Sequence, residues 1–181
     1  MSRFIVFLAD GFEEIEALSV VDILRRAGIE TVTVGVTSEF VRGSHGINVE
    51  SDCAADKLSG EFDGIVLPGG MPGTLNLEKS DVVKAYINKA NAQNKYICAI
   101  CAAPSVLGHL GILEGKKAVC YPGFEKDLHG AEVSYDYVCV DGKIITARGA
   151  GVAADFALTI VSQVCSSQEA EKIRSGIISR G

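Results

Sequence analysis

The segment "AICAAPSVLG", residues 99–108, sets Cys101 where an apolar run gives way to Ala-Ala-Pro-Ser. Upstream, "KYICAI" reads as a short buried strand. Downstream, small residues and a Pro near the first turn open a helix. A cysteine at a helix mouth meets backbone amides that favour its thiolate, which should lower its pKa well below the free value of about 8.5. Ala102 and Ala103 leave room for the tight strand-to-helix turn that projects a nucleophile. A buried structural cysteine is the competing reading.

The acidic run "DGFEEIE" supplies a second chemical group. Asp10 and Glu13 have the spacing of a capping box, and Glu14 suits the positive end of a helix. Glu16 has no such structural duty. On the edge of an apolar stripe it either faces solvent or sits half-buried beside a thiol, keeping a proton to donate to the thiolate. "LPGGMPG" lacks the Gly-Lys-Ser/Thr of a phosphate-binding loop. Gly69 and Gly70 there form a plain tight turn, or else present a backbone N–H to the reacting centre as part of an oxyanion hole.

Other motifs carry less. Cys98 and Cys101 spell C-x-x-C, but Cys98 lies within the strand, and an odd separation should send the two side chains to opposite faces. A second cysteine pair or nearby His to complete a zinc set is lacking, so no metal is expected. Gly149-x-Gly151-x-x-Ala154 is formally a dinucleotide fingerprint, yet only 27 residues follow it, whereas such a motif opens the first unit of a sheet. No cofactor is expected. His45, His109 and His129 read as surface residues, His129 being the first choice were a histidine to act as base.

The elements that would position these groups alternate strand and helix. "RFIVFLA" is a continuous apolar run, as in a strand covered on both faces. A helix follows from Glu13 to Gly28, striped by Ala17, Val20, Val21, Leu24 and Ala27. "IETVTVGV" is the next strand, and residues 37–56 hold short strands or a hairpin around Gly43 and Gly46. "GIVLP" is a core strand, followed by a loop, and residues 79–92 form a helix. After the Cys101 helix come a strand "KKAVCY" and an antiparallel hairpin "YVCVDGKIITA" turning at Asp141-Gly142. A helix over about 150–165 and a shorter one close the chain. The pattern predicts one α/β domain over residues 1–181, a doubly wound sandwich with a mainly parallel sheet and a small antiparallel hairpin. In such a sheet the working site lies at the carboxyl ends of the strands, where strand order reverses. The loops carrying Glu16, Gly69–Gly70 and Cys101 all leave such ends.

Length and composition fit one soluble globular domain with a sizeable core: 181 residues, 48% hydrophobic and 22% charged. A net charge of -6 argues against nucleic-acid binding. No apolar run is long enough for a signal peptide or a membrane span, and the six cysteines are scattered, so a cytoplasmic protein with mostly buried thiols is expected.

Taken together, "ADGFEEIEALSVVDILRRAGI", "VLPGG", "AICAAPSVLG" and "ITARGAG" resemble the ThiJ/PfpI superfamily, nearest to its Parkinsonism-associated, deglycase and glyoxalase III branch. The resemblance runs nearly end to end in motif order. It implies a flavodoxin-like sandwich, a homodimer, an oxidation-prone elbow cysteine at Cys101 and a partner acid at Glu16. Gly70 and the Ala102 amide fall at the anion-stabilising positions. Two departures matter. The peptidase members place His directly after the cysteine, where this chain has Ala102, so a peptidase triad is not expected. Where the Parkinsonism-associated branch has His before a Pro, "CYPGF" has Tyr121, which could assist only by hydrogen bonding. The expected function is a cofactor-independent glyoxalase or deglycase acting on a small aldehyde or a glycated protein. The alternative is a redox-responsive chaperone or sensor whose Cys101 is oxidised to sulfinate.

Overall fold

The structure, a computed structural model, describes residues 2–179. Its elements are β1 (Arg3–Leu8), α1 (Glu14–Arg26), β2 (Glu30–Gly35), β3 (Phe40–Arg42), β4 (Asn48–Glu50), β5 (Cys53–Ala54), β6 (Gly64–Leu67), α2 (Gly73–Lys79), α3 (Asp81–Ala92), β7 (Tyr96–Ile100), α4 (Pro104–His109), β8 (Lys117–Ala118), β9 (Glu132–Val133), β10 (Val138–Asp141), β11 (Ile144–Ala147), α5 (Ala153–Val164) and α6 (Ser167–Gly176).

Seven strands form one sheet in the order β10-β11-β7-β6-β1-β2-β5. All neighbours are parallel except β10 and β11. The side-chain alternation of β1 divides the core into two layers. Phe4, Val6 and Leu8 face α1, α5 and α6, while Ile5, Phe7 and Ala9 face α3 and α4. Every residue from Phe4 to Leu8 is fully buried, as a strand covered on both faces requires. Burying each Phe side chain stabilises the fold by about 3 kcal/mol relative to leaving it in water.

The chain builds outward from β1 to β2 and β5, then returns to lay β6 on the other side of β1. That reversal puts the carboxyl ends of β1, β6 and β7 side by side, as the alternating pattern predicts. The short β3–β4 hairpin is antiparallel and stands apart from the main sheet.

Several sequence expectations are corrected. "KKAVCY" supplies only the two residues of β8, which pair with β9 in a separate small sheet; Val119 donates instead to the Thr146 hydroxyl at 2.9 Å. The helix expected over 79–92 is preceded by α2, whose Lys79 is separated from α3 by Ser80, and the Ser80 hydroxyl caps α3 by accepting from Val83 N–H. In the β10–β11 hairpin Asp141 pairs with Ile144, so the turn residues are Gly142 and Lys143, one position later than read. Gly142 adopts φ +60°, the left-handed conformation this turn demands.

Candidate active site

The chain leaves β7 at Ile100 and turns at once into α4, and Cys101 takes the turn with φ +65°. A non-glycine residue in this region is held there by its surroundings. Here Cys101 N–H donates to Ala147 O at 2.9 Å, and Cys101 O accepts from Tyr121 N–H at 2.7 Å. Both backbone groups are tied to neighbouring segments, so the elbow cannot relax by rotating its peptides. The small side chains of Ala102 and Ala103 are buried, as the turn requires.

Glu16 reaches the same point from the first turn of α1. It is 1% exposed, and its Oε2 accepts from Gly69 N–H at 2.8 Å. Its Oε1 is buried with no aligned hydrogen-bond partner among the described residues, while the carboxyl lies in hydrogen-bonding reach of the Cys101 thiol. A lone buried carboxylate oxygen is costly; a protonated one is a donor and costs far less. Burial accordingly raises the Glu16 carboxyl to about 7, against the opposing Gly69 amide.

The Cys101 thiol departs from expectation. Burial, followed by the negative charge of Glu16, pushes it up to about 12, against the Ala102 and Gly70 amides that approach the sulfur and favour its thiolate. Burial disfavours the thiolate, and two neighbouring groups in a dry site resist being ionised together, so a charge on one disfavours a charge on the other. While Glu16 is charged the thiol is held neutral. When the carboxyl carries the proton that repulsion vanishes, leaving the amides to act against burial. The helix mouth does not set the thiol's acidity by itself; α4 is only six residues long.

The structure therefore brings together four of the residues singled out in the sequence: Cys101, Glu16, Gly70 and Ala102. Gly69 and Gly70 divide the work expected of the pair. Gly69 N–H is committed to Glu16, and Gly70 N–H is the one near the sulfur. Gly70 has φ +91°, and a Cβ there would run into Glu13 N and Gly11 O, so only glycine fits this crossing of the two loops. Tyr121 lies beside the elbow, half exposed, with its ring against Gly149. With Pro122, Tyr137, Arg148 and residues 149–152 it lines an apolar cleft of about 350 Å³ next to the sulfur. Arg148 and Gly149 are site residues that the sequence reading missed. Their signal is the "ARG" run at the carboxyl end of β11, which the sequence reading uses for a dinucleotide fingerprint and for the family resemblance without giving either residue a role.

Neighbouring assignments change too. Asp10 does not cap α1; its Oδ1 accepts from Arg42 N–H at 2.9 Å, and Glu13, at the cap position, makes no side-chain capping bond. Glu14 stands in the first turn of α1 and is in addition buried, accepting from His45 N–H at 2.8 Å and facing His45 Nδ1 at 3.0 Å. Burial opposes its ionisation, yet its own amide and the His45 and Ile47 contacts outweigh that and bring it down to about 2. Cys98 is buried and Cys101 half-buried, both free, and both touch the core layer that faces α1 and α5. The opposite-face argument fails because strand alternation ends at Ile100.

This elbow, acid and glycine pair lie in a chain whose residues 2–163 match the model of the DJ-1/PfpI family. The protein belongs to that family. Protein DJ-1 homolog B of Arabidopsis thaliana is 34% identical over 98% of this chain, which spans 42% of that relative's length. The chain thus covers less than half of such longer relatives. A protein of Pyrococcus abyssi named as a deglycase is 31% identical over 82% of this chain and 91% of its own. The solved structure of oxidised Toxoplasma gondii DJ-1 superimposes with a TM-score of 0.95 at 38% identity, covering 98% of both chains. Among the described residues no helix is long and apolar enough to cross a membrane.

Proposed function

We propose that the protein is a cofactor-independent glyoxalase or deglycase acting on methylglyoxal or its early protein adducts, with Cys101 as nucleophile and Glu16 as acid and base. The observation that carries this reading is the juxtaposition of a buried carboxyl, raised to about 7, with a thiol that two backbone amides approach. A carboxylic acid tuned near neutrality suits proton transfer at working pH.

The Cys101 sulfur adds to the aldehyde carbon, and the Glu16 proton goes to the carbonyl oxygen, giving a neutral hemithioacetal. Glu16, now a carboxylate, takes the proton from that carbon and delivers it to the neighbouring carbon, while the hydroxyl proton passes to the neighbouring oxygen. The product is a lactoyl thioester on Cys101. Water cleaves the thioester to lactate and the free sulfur; of the two protons released, one returns to the site and the other goes to solvent. The Gly70 and Ala102 amides stabilise the charge that develops at the reacting centre. The Tyr121 ring borders the cleft and could contribute a hydrogen bond to substrate. The deglycase name of the Pyrococcus relative supports a substrate of this class.

The test is conversion of methylglyoxal to lactate without glutathione, comparing the native chain with Cys101→Ser and Glu16→Gln. Activity lost in both variants supports the assignment, and full activity in Glu16→Gln would end the role given to that carboxyl. A second reading has its own support in the oxidised Toxoplasma structure. In it peroxide converts Cys101 to sulfinate, held by protonated Glu16, and no aldehyde is consumed. An inactive native chain that gains two oxygens at Cys101 would establish that reading instead.

A further inference from the structure

Outside the cleft, α4 ends in a cluster of side chains that the chemistry at Cys101 does not use. His109 is the last residue of α4, and Asp127 and His129 come from the segment that packs across it. One ligating atom from each of these three residues lies within 4.8 Å of the other two. We propose that His109, Asp127 and His129 form a binding site for a divalent transition-metal ion of the Zn²⁺ class.

Three observations carry this. First, Glu78 of α2 faces His109 Nδ1 at 2.5 Å, which leaves Nε2, the nitrogen 3.7 Å from Asp127 Oδ1, as the donor. A carboxylate behind a ligating imidazole fixes the tautomer and ring orientation and raises the basicity of the other nitrogen. Second, the backbones are locked together. A Cβ on Gly108 would collide with Asp127 O and would lie 2.8 Å from His129 N, so α4 and the 127–129 segment meet at a separation that only glycine permits. His109 is therefore held against Asp127 and His129 before any ion arrives. Third, two neutral imidazoles and a carboxylate are the donor set that suits Zn²⁺, Ni²⁺ or Cu²⁺ rather than Ca²⁺ or Mg²⁺. Asp127 and Glu78 together balance the charge of a divalent ion.

A tetrahedral ion with bonds of about 2.0–2.1 Å holds its ligands roughly 3.3 Å apart, so no pair need close by more than about 1.5 Å. Small side-chain rotations, chiefly of the exposed His129, can supply that. Partial exposure leaves the fourth position to water. The other group of comparable spacing, Glu13, Glu14 and His45, differs: Glu14 Oε1 already accepts from the His45 and Ile47 amides, and Oε2 from the Ser44 hydroxyl while it faces His45 Nδ1. The proposed ion sits at the far end of α4, about 9 Å of helix from the elbow. It would clasp the segment that follows Tyr121 onto α4.

The test is titration of Co²⁺ into the whole reduced chain, followed by absorption spectroscopy and by competition with Zn²⁺. The expected result is one equivalent bound with visible ligand-field bands and without the near-ultraviolet bands of thiolate ligation. His129→Ala should weaken binding at least tenfold, and Glu78→Gln by about 10–100-fold. Cys101→Ser and His45→Ala should leave it unchanged. Because His109 and His129 are exposed, the variants keep the fold, which circular dichroism checks. No binding by the native chain overturns the proposal. So do thiolate bands, or binding that survives His129→Ala.

Discussion

Glu16 and Cys101 meet across Gly69: a β carbon at that glycine would lie 2.8 Å from Glu16 Oε2 and 2.7 Å from Cys101 Cβ. The pair thus exists because the residue between its members has no side chain. Gly69→Ala should fold with a loss of about 1–3 kcal/mol from overpacking. It should lose about 10²-fold in turnover, since displacement of a reacting group by about 1 Å has that effect. Chemical denaturation and a turnover assay read the two effects separately.

The Glu16 carboxyl also makes stability depend on pH. Burial raises it from 4.5 to about 7 in the folded chain, so between those values the folded state binds more protons than the unfolded state. Its contribution is fully present below about pH 4.5 and is lost as pH rises to about 7. The shift corresponds to a few kcal/mol, about 3 as an order of magnitude. Glu16→Gln should flatten this stretch of the stability profile. An unchanged slope in urea titrations at several pH values would remove Glu16 as its source.

The left-handed backbone of Cys101 reverses the usual ranking of small residues. At an ordinary position glycine is less stable than alanine by about 0.5–1 kcal/mol, whereas a left-handed position penalises any Cβ by about 1–2 kcal/mol. Cys101→Gly should therefore be at least as stable as Cys101→Ala. Thermal unfolding of the two inactive variants measures the difference directly.

Gly149 lies close to the sulfur, and its extended backbone does not itself require glycine. An added methyl would lie 3.2 Å from the half-exposed Tyr121 ring, which can give way, and 3.9 Å from Cys101 Sγ. Gly149→Ala should fold normally, yet slow thiol alkylation and raise KM for the aldehyde several-fold. Tyr121→Phe, which keeps the ring, should leave alkylation unchanged.

What was legible in the sequence is what local pattern encodes. The apolar run of β1, the stripe of α1 and the alternation of strand and helix suffice for the sheet, and the sheet brings the loops of Glu16, Gly70 and Cys101 together. Contacts between distant segments were not legible. Asp10 and Glu13 have the spacing of a capping box, but the Arg42 amide, 32 residues away, takes the Asp10 carboxylate. "KKAVCY" has strand composition, but Val119 meets the Thr146 side chain where a strand would find a backbone partner. The acidity of Cys101 was misread for the same reason. Spacing reveals the helix mouth and says nothing of how deeply Glu16 is buried against the thiol.

The first turn of α1 holds two carboxyls, Glu14 and Glu16, with one residue between them and opposite titration behaviour: one is brought down to about 2, the other raised to about 7. This is a division of labour within a single helical turn. Glu14 stays charged, meets the helix's demand for an anion and grips the His45 arm. Glu16 turns inward instead, where burial raises it and the nearby Glu13 carboxylate adds to the effect. The arm that ends at His45 is thus fastened to the same helical turn that carries the reactive acid.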